Sequence, residues 1–284
     1  MPSSLSDTGA PASPRPVHVI EASTRPVIDL AQLWAYRELL YFLVWRDLKV
    51  RYRQTLLGVA WAVLQPLAGT AVFTLVFGRL VGVPSEGAPY ALFVLCGLVP
   101  WTFFARGLTN MTGSLVSSQD LVKRVYFPRL AIPLAAVGSC LVDLAVGLGL
   151  VLLAILATGH APSAQVLLLP VVLVVLLAVL VGLGLILAAV NARYRDVGHL
   201  VPMGLQILLF LTPVVYPGSL LPASWRLVYG LNPMVGVVEG FRWCLLGTPL
   251  DPALAIGSAA IGAVLLAAGL AVFARAEKTF ADVV

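Results

Sequence analysis

Charge is scarce in this sequence of 284 residues. Asp, Glu, Lys and Arg make up 11% of it, whereas ordinary globular chains carry roughly 25%. Hydrophobic residues account for 60%. Because long uncharged runs leave little room for a water-soluble core, the composition predicts an all-α integral membrane protein and excludes a soluble catalytic domain on this chain.

Cysteine and histidine are also sparse. The three cysteines, Cys96, Cys140 and Cys244, are far apart in apolar surroundings and predict neither disulfides nor a metal site. The three histidines do not cluster with carboxylates, as a membrane enzyme acting on polyprenyl lipids would require, so we expect no catalytic residue and no cofactor in this chain. No G-x-x-x-x-G-K-[ST] phosphate loop is present, and ATP and Mg would have to bind to a partner ATPase.

Apolar runs dominate what is present. A helix needs about 20 apolar residues to cross a bilayer. We predict a domain of six transmembrane helices at residues 56–275. The apolar runs that predict these helices cover about 54–78, 90–115, 131–157, 165–190, 200–216 and 252–274. Proline and glycine interrupt residues 217–251, and the apolar run from Leu227 to Val238 is too short to cross, so we expect broken re-entrant helices there.

The basic residues predict the orientation. Most of the 18 lysines and arginines precede span one or follow spans two, four and six, which places both termini in the cytosol under the positive-inside rule. Residues 1–28 are rich in Pro, Ser and Ala and predict a disordered cytosolic tail; residues 276–284 form a cytosolic C-terminus. The net charge of +5 fits anionic lipid better than nucleic acid.

Residues 29–55 predict an amphipathic helix in the cytosolic membrane interface. Apolar residues including Trp34, Tyr41 and Trp45 recur at helical spacing. The candidates for a lipid-phosphate entrance are the cations of the opposite face, Arg46, Lys49 and Arg53. The simpler interpretation is that these cations only orient the chain.

Two charges fall inside predicted spans, Arg106 and Asp143. Charges in a membrane cost about 2.5 to 3.5 kcal/mol each on insertion scales, so we expect them to pair. The pair could fix helix packing or line a glycan channel. Aromatic side chains could stack on sugars there or pack against helices and lipid; the candidates are Phe73, Phe77, Trp101 and Phe104.

A set of segments carries a family resemblance by its order along the chain. The set is WRDLKVRYRQTLLGVAWAVLQP, QDLVKRVYFPRLAIPL, NARYRDVGHLV, TPVVYP and LNPMVGVVEGFRW. The chain resembles the membrane subunits of bacterial ABC exporters for O-antigen, capsule and teichoic-acid polymers. That resemblance implies a homodimer in the inner membrane with two copies of a separate ATPase, exporting a lipid-linked polysaccharide. The alternative is a permease for drug or glycolipid efflux.

The resemblance also implies roles for two loops. Segment 117–130 would hold the helix that couples to the ATPase, with an apolar anchor and cations that fix its register: Leu121, Lys123, Arg124, Tyr126, Phe127, Pro128 and Arg129. Region 217–251 would form an extracytoplasmic gate with Asn232, Glu239 and Arg242. A positive-inside loop and an interfacial Glu239–Arg242 ion pair are the simpler alternatives.

Overall fold

The computed structural model describes residues 30–53, 58, 60–124, 127–160, 164–220 and 222–277. All regular elements in these residues are helical, in agreement with the predicted fold class. The predicted tail, residues 1–28, lies outside the described residues, as do residues 278–284.

Eleven α-helices and several shorter turns make up the described chain. The α-helices are α1 Leu30–Ala35, α2 Arg37–Arg53, α3 Ala60–Phe73, α4 Tyr90–Ser117, α5 Gln119–Arg124, α6 Ala131–Thr158, α7 Leu169–Arg193, α8 Val197–Leu211, α9 Arg226–Gly230, α10 Pro233–Leu246 and α11 Pro252–Ala276. A π-helical stretch, Thr74–Val81, continues α3. Turns of 3₁₀ helix cover Ala164–Leu168, Gly218–Leu220 and Ala223–Trp225.

Five helical segments in the described chain are long and apolar enough to cross a membrane. They are Ala60–Val81, Tyr90–Ser117, Ala131–Thr158, Ala164–Arg193 and Pro252–Ala276. The expected fifth span differs, because α8 ends at Leu211 after 15 residues. At 1.5 Å per residue α8 is roughly 22 Å long, shorter than the ~30 Å hydrocarbon layer, and Thr212 continues in an extended conformation.

The N-terminal helix is divided and packs against the bundle. Tyr36 separates α1 from α2, where a single helix was expected. Leu43 is buried, and α2 lies so close to α6 that a Cβ at Gly138 would be 2.6 Å from Val44. Trp34 and Tyr41, which we expected to lie among lipid headgroups, are exposed. The apolar residues of this segment thus divide between contact with the bundle and exposed positions.

The core is centred on α4, which packs against α3, α6, α7, α8 and α10. A second tight contact joins α7 to α11. A Cβ at Gly182 would overlap the backbone at Leu265 and Leu266, and one at Gly269 would overlap the carbonyl of Gly182. Only glycine permits this backbone approach, a device common between membrane helices.

We expect Gly269→Ala to destabilise the protein by about 1 to 3 kcal/mol, because the added methyl group forces α7 and α11 apart. The thermal unfolding midpoint of the purified chain in detergent measures this. Gly257→Ala on the same helix is the matched control, since a Cβ there meets nothing within 4 Å. Equal midpoints for the two variants would contradict the assigned contact.

Candidate functional site

A cluster of three charged residues lies inside the apolar helices. Arg106 on α4 donates from Nη1 to Oδ2 of Asp143 on α6 at 2.7 Å, so the two intramembrane charges meet. Arg51, near the end of α2, donates from Nη1 to the same oxygen at 2.7 Å. Arg106 also donates to Oε1 of Gln65 on α3. We call these four residues the polar cluster; four helices join in it.

Arg106 and Asp143 lie deep along the helices that carry them. Arg106 precedes the end of α4 by eleven residues, and Asp143 follows the start of α6 by twelve. At 1.5 Å per residue these positions are roughly 17 and 18 Å from the helix ends. The other charges in the described part of the five long segments, Arg79, Arg193 and Arg275, lie within three residues of a segment end.

The carboxylate of the polar cluster is more covered than its arginines. The side chain of Asp143 is 12% exposed, against 25% for Arg51 and 33% for Arg106. Arg51 also contacts Ser139 Oγ at 3.4 Å, one helical turn from Asp143. Breaking such a pair by removing one partner is costly, because the remaining charge stays in a poorly hydrated position. The polar cluster thus ties α2, α3 and α4 to α6.

Open space borders the polar cluster on two sides of Arg106. One cavity of 400 Å³ lies between α4 and α8 and is lined by Gln65, Trp101, Arg106 and Gln206 among others. A second, of 380 Å³, lies towards α2 and is lined by both arginines of the cluster. Arg106 therefore has both a packing partner and accessible surface, as a group lining a path would need.

Arg51 was not among the predicted site residues. In the sequence, Arg51 was considered only as one of the basic residues that precede span one. One signal was available, because Val44 and Arg51 are two helical turns apart and so share a face of α2. Ser139 and Asp143 are one turn apart on α6, so the two faces match.

The predicted lipid-phosphate cations lie away from the polar cluster. Arg46 is exposed and pairs with Asp47 at 2.9 Å, so its charge is compensated by its sequence neighbour. Lys49 is exposed. The side chain of Arg53 lies outside the described residues. Binding of lipid phosphate by these three residues stays a prediction.

The candidate channel aromatics are more buried than a channel wall requires. Phe104 is buried and packs on Trp101, with ring centroids 5.9 Å apart, so Phe104 belongs to the core of α4. Trp101 is buried as well but borders the 400 Å³ cavity. Phe73 and Phe77 are half-buried and their rings are 6.0 Å apart. Of the four, Trp101 has a described cavity beside it.

Arg242 on α10 is fully buried and holds the broken chain after α8 in place. Its guanidinium donates to the carbonyls of Pro213 and Val214 at 2.6 Å each and to that of Phe93 at 3.2 Å. It also lies 3.5 Å from the centre of the Phe93 ring. Non-helical carbonyls in a water-poor environment need such donors. The simpler alternative for this residue was an ion pair with Glu239. The ion pairs of the described residues do not include it.

The other candidate gate residues also tie segments together. Asn232 caps α10 by accepting from the Met234 amide at 3.0 Å and donates to Thr212 Oγ1 at 2.9 Å. The Glu239 carboxylate contacts Gly218 closely. Burial raises the pKa of the Glu239 carboxyl, and the charge of Arg242 acts in the opposite direction. These contacts fix the region after α8; whether it gates a path stays a prediction.

Comparison with known proteins identifies the family. The family model of the ABC-2 type transporter matches residues 38–246, from α2 to the end of α10. This chain belongs to the ABC-2 type transporter family. The match contains Arg51, Arg106, Asp143 and Arg242, so the polar cluster and the Arg242 contacts lie within the family's own region.

Three relatives illustrate the similarity. The O-antigen export system permease protein RfbA of Myxococcus xanthus is 33% identical over 256 residues, which are 88% of this chain and 97% of that protein. The Klebsiella pneumoniae protein of the same name is 25% identical over 247 residues, 87% of this chain and 95% of its own length. The Escherichia coli polysialic acid transport protein KpsM is 25% identical over 235 residues, 82% and 91% respectively.

The predicted coupling segment of this ABC-2 protein packs in part against the protein's own core. Helix α5 presents Lys123 to solvent, while Leu121 is half-buried against the core. Phe127, expected as an exposed anchor, is buried in the core. Arg129 donates its backbone N–H to Glu277 Oε1 at 3.0 Å. Tyr126 and the side chain of Arg124 lie outside the described residues, and Pro128 is half-buried.

We expect Arg242→Lys to lower stability by about 2 kcal/mol or more. The three carbonyls are spaced for a planar, forked guanidinium, and an ammonium group, whose donors share a single nitrogen atom, cannot reach all three. The thermal unfolding midpoint in detergent checks this. Arg195→Lys at an exposed position is the control and should leave the midpoint unchanged. A midpoint for Arg242→Lys equal to the parent's would mean that the carbonyl contacts contribute little.

Proposed function

We propose that this chain is the permease subunit of an ABC exporter that carries a lipid-linked polysaccharide across the cytoplasmic membrane. The observation that carries the proposal is the similarity to RfbA and KpsM over nearly their whole lengths, 97% and 91%. The names of these relatives specify O-antigen export and polysialic acid transport, and they favour a polysaccharide over a drug or small glycolipid as the cargo.

The proposal includes six crossings with both termini in the cytosol. The fifth would consist of α8 and the turn that follows Thr212. Arg242 and Tyr90 hold this turn by donating to the carbonyls of Pro213, Val214 and Val215. The contact of Arg129 with Glu277 supports an even number of crossings between them, because it joins the start of α6 to the end of α11. Helices α9 and α10 would then lie at the outer side.

Energy would come from a separate ATPase subunit, since this chain has no phosphate loop. The exporter would be a homodimer with two ATPase copies, in which the second permease supplies the opposite wall of the path. The polar cluster and the cavity between α4 and α8 support a path on this side, because a glycan needs polar groups along its route through the membrane.

Deletion of the gene in its source cell tests the function. We expect surface polysaccharide to fall below detection, with lipid-linked polymer accumulating inside, and plasmid-borne wild-type chain to restore export. Fractionation followed by gel analysis of the polysaccharide measures both pools. Normal surface polysaccharide in the deletion strain would contradict the proposal, and altered drug resistance in its place would favour the efflux alternative.

Binding of the ATPase tests the coupling segment. In the variant that combines Lys123→Glu with Tyr126→Asp, the amount of ATPase that co-purifies with the permease should fall at least fivefold. Both changes put negative charge on the predicted coupling segment. Phe127 is unsuitable for this test, since a charge at a buried position would unfold the chain. Arg195→Glu, which reverses an exposed charge in a different polar loop, is the control and should bind normally. Full co-purification of the double variant would remove the coupling assignment.

A further inference from the structure

Helix α11 contacts parts of the chain that lie on opposite sides of the membrane in the proposed topology. Glu277, the C-cap residue of α11, accepts from the backbone N–H of Arg129 through Oε1 at 3.0 Å. Near the other end, Ser258 Oγ accepts from the backbone N–H of Gly236 on α10 at 3.2 Å. Ser258 and Glu277 are 19 residues apart. At 1.5 Å per residue this is roughly 29 Å, close to the ~30 Å hydrocarbon layer.

The contact between Arg129 and Glu277 serves both of the helix ends that meet there. Carbonyls at the C-terminus of a helix have no donor within the helix, and the Arg129 guanidinium donates to the carbonyl of Glu277. The Glu277 carboxylate lies at the start of α6, where the N-cap residue Leu130 makes no side-chain cap. A carboxylate is favoured at this position, because the N-terminus of a helix carries partial positive charge. The coupling segment, which contains Arg129, is thus joined to α11 as well as to the two helices that flank it.

Close packing joins the other end of α11 to α10. A Cβ at Gly236 would be 2.4 Å from Ser258 Oγ and 2.7 Å from the Leu254 carbonyl oxygen, so α10 lies directly against α11. Asn232, which caps α10, also donates to Thr212 Oγ1 at the end of α8. A displacement of α11 would therefore reach α10 and, through Asn232, the turn that follows α8.

Helix α11 has the features of a rigid connection between these two contacts. It is one uninterrupted α-helix and contains no proline between Ser258 and Glu277. Helix α4, which leaves the coupling segment in the same direction, contains Pro100, and proline is a common site of kinks. The close contact of Gly182 with Gly269 also joins α11 to α7, so the two helices form one body.

We propose that Glu277 is a positioning residue that transmits movement of the coupling segment through α11 to α10. When the ATPase displaces α5, the contact of Arg129 with Glu277 moves α11 and α7 together, and α10 follows on the opposite side of the membrane. The turn after Thr212 moves with α10, since Asn232 and Arg242 hold it there. The inference rests on the proposed function, because it requires a separate ATPase at the coupling segment.

Labelling of one exposed cysteine beside α10 tests this route. Leu231→Cys replaces a side chain that is 71% exposed, whereas the native cysteines, Cys96, Cys140 and Cys244, are buried. The full chain is purified with its ATPase in nanodiscs and treated with a water-soluble maleimide. Labelling is measured with and without Mg-ATP and orthovanadate, which arrests ATPase turnover. We expect the labelling rate to differ severalfold between the two conditions.

Variants in this background isolate the part of Glu277. Glu277→Ala should lose most of the difference in labelling rate, while it binds the ATPase and hydrolyses ATP like the parent. Glu277→Gln should keep the difference, because its amide oxygen still accepts from the Arg129 N–H. Arg275→Ala, which removes an exposed side chain from the last turn of α11, is the control and should behave like the parent. Ser258→Ala removes the acceptor near the other end of α11 and should also reduce the difference, which provides a test that does not depend on the folding of Glu277→Ala.

Three results would overturn the route. They are equal labelling of the parent in both conditions, the full difference in both Glu277→Ala and Ser258→Ala, and a loss in Arg275→Ala as large as that in Glu277→Ala. The second result would assign transmission to α6, since His160 Nε2 after α6 lies 3.4 Å from the carbonyl oxygen of Leu246 at the end of α10.

The route and the proposed cargo can fail separately. Normal surface polysaccharide in the deletion strain, together with labelling that depends on Glu277, would support the route and reject polysaccharide as the cargo. Loss of surface polysaccharide in that strain, together with labelling that does not depend on Glu277 or Ser258, would reject the route alone.

Discussion

The need to satisfy every polar group without water governs this structure. Arg242 donates to two backbone carbonyls where the chain leaves α8 and to the Phe93 carbonyl, and Asp143 accepts from two arginines near the middle of α6. Both arrangements depend on α4, which supplies the Phe93 carbonyl to one and Arg106 to the other. Helix α4 is also the most buried of the long segments. A shift of α4 would disturb both arrangements at once, so the two contacts fix the position of α4 at two points along its length.

Close backbone contact supplies the rest of the rigidity. At Gly182 and Gly269 the helices α7 and α11 approach until no side chain fits, whereas Gly138 of α6 makes room for the Val44 side chain of α2. Apolar burial contributes little to helix association in lipid, since lipid tails are as apolar as leucine. Dispersion contacts between closely packed backbones therefore hold α11 to the bundle. Helix α2 differs, because Arg51 adds a charged contact to its glycine contact.

Sequence reasoning predicted the elements that depend on apolar length. The starts of α4 and α6 were predicted at Tyr90 and Ala131, where the structure has them, because a long uncharged run has few alternatives. The fifth span was less accurate, since the apolar run continues past Leu211 although the helix does not. Asn191 lies between the fourth and fifth predicted spans, yet it is buried, donating to the Thr112 carbonyl and accepting from the Gly198 amide. Composition cannot distinguish a polar residue in solvent from one that joins two segments.

The contacts of the site residues also divide into those that the sequence could predict and those that depend on the fold. The meeting of Arg106 with Asp143 follows from the cost of single charges in a membrane, which requires no knowledge of the fold. The contact of Arg51 with Asp143 could not be deduced that way, because an arginine predicted to lie before the first span has water available and needs no partner. Only the docking of α2 on α6 brings it to Asp143.

The connection through α5 gives this geometry a further consequence. Helix α5 joins α4 to α6, the two helices that Arg106 and Asp143 link within the membrane. A displacement of α5 would act on both helices from the same end, and the ion pair would resist their separation about 17 Å away.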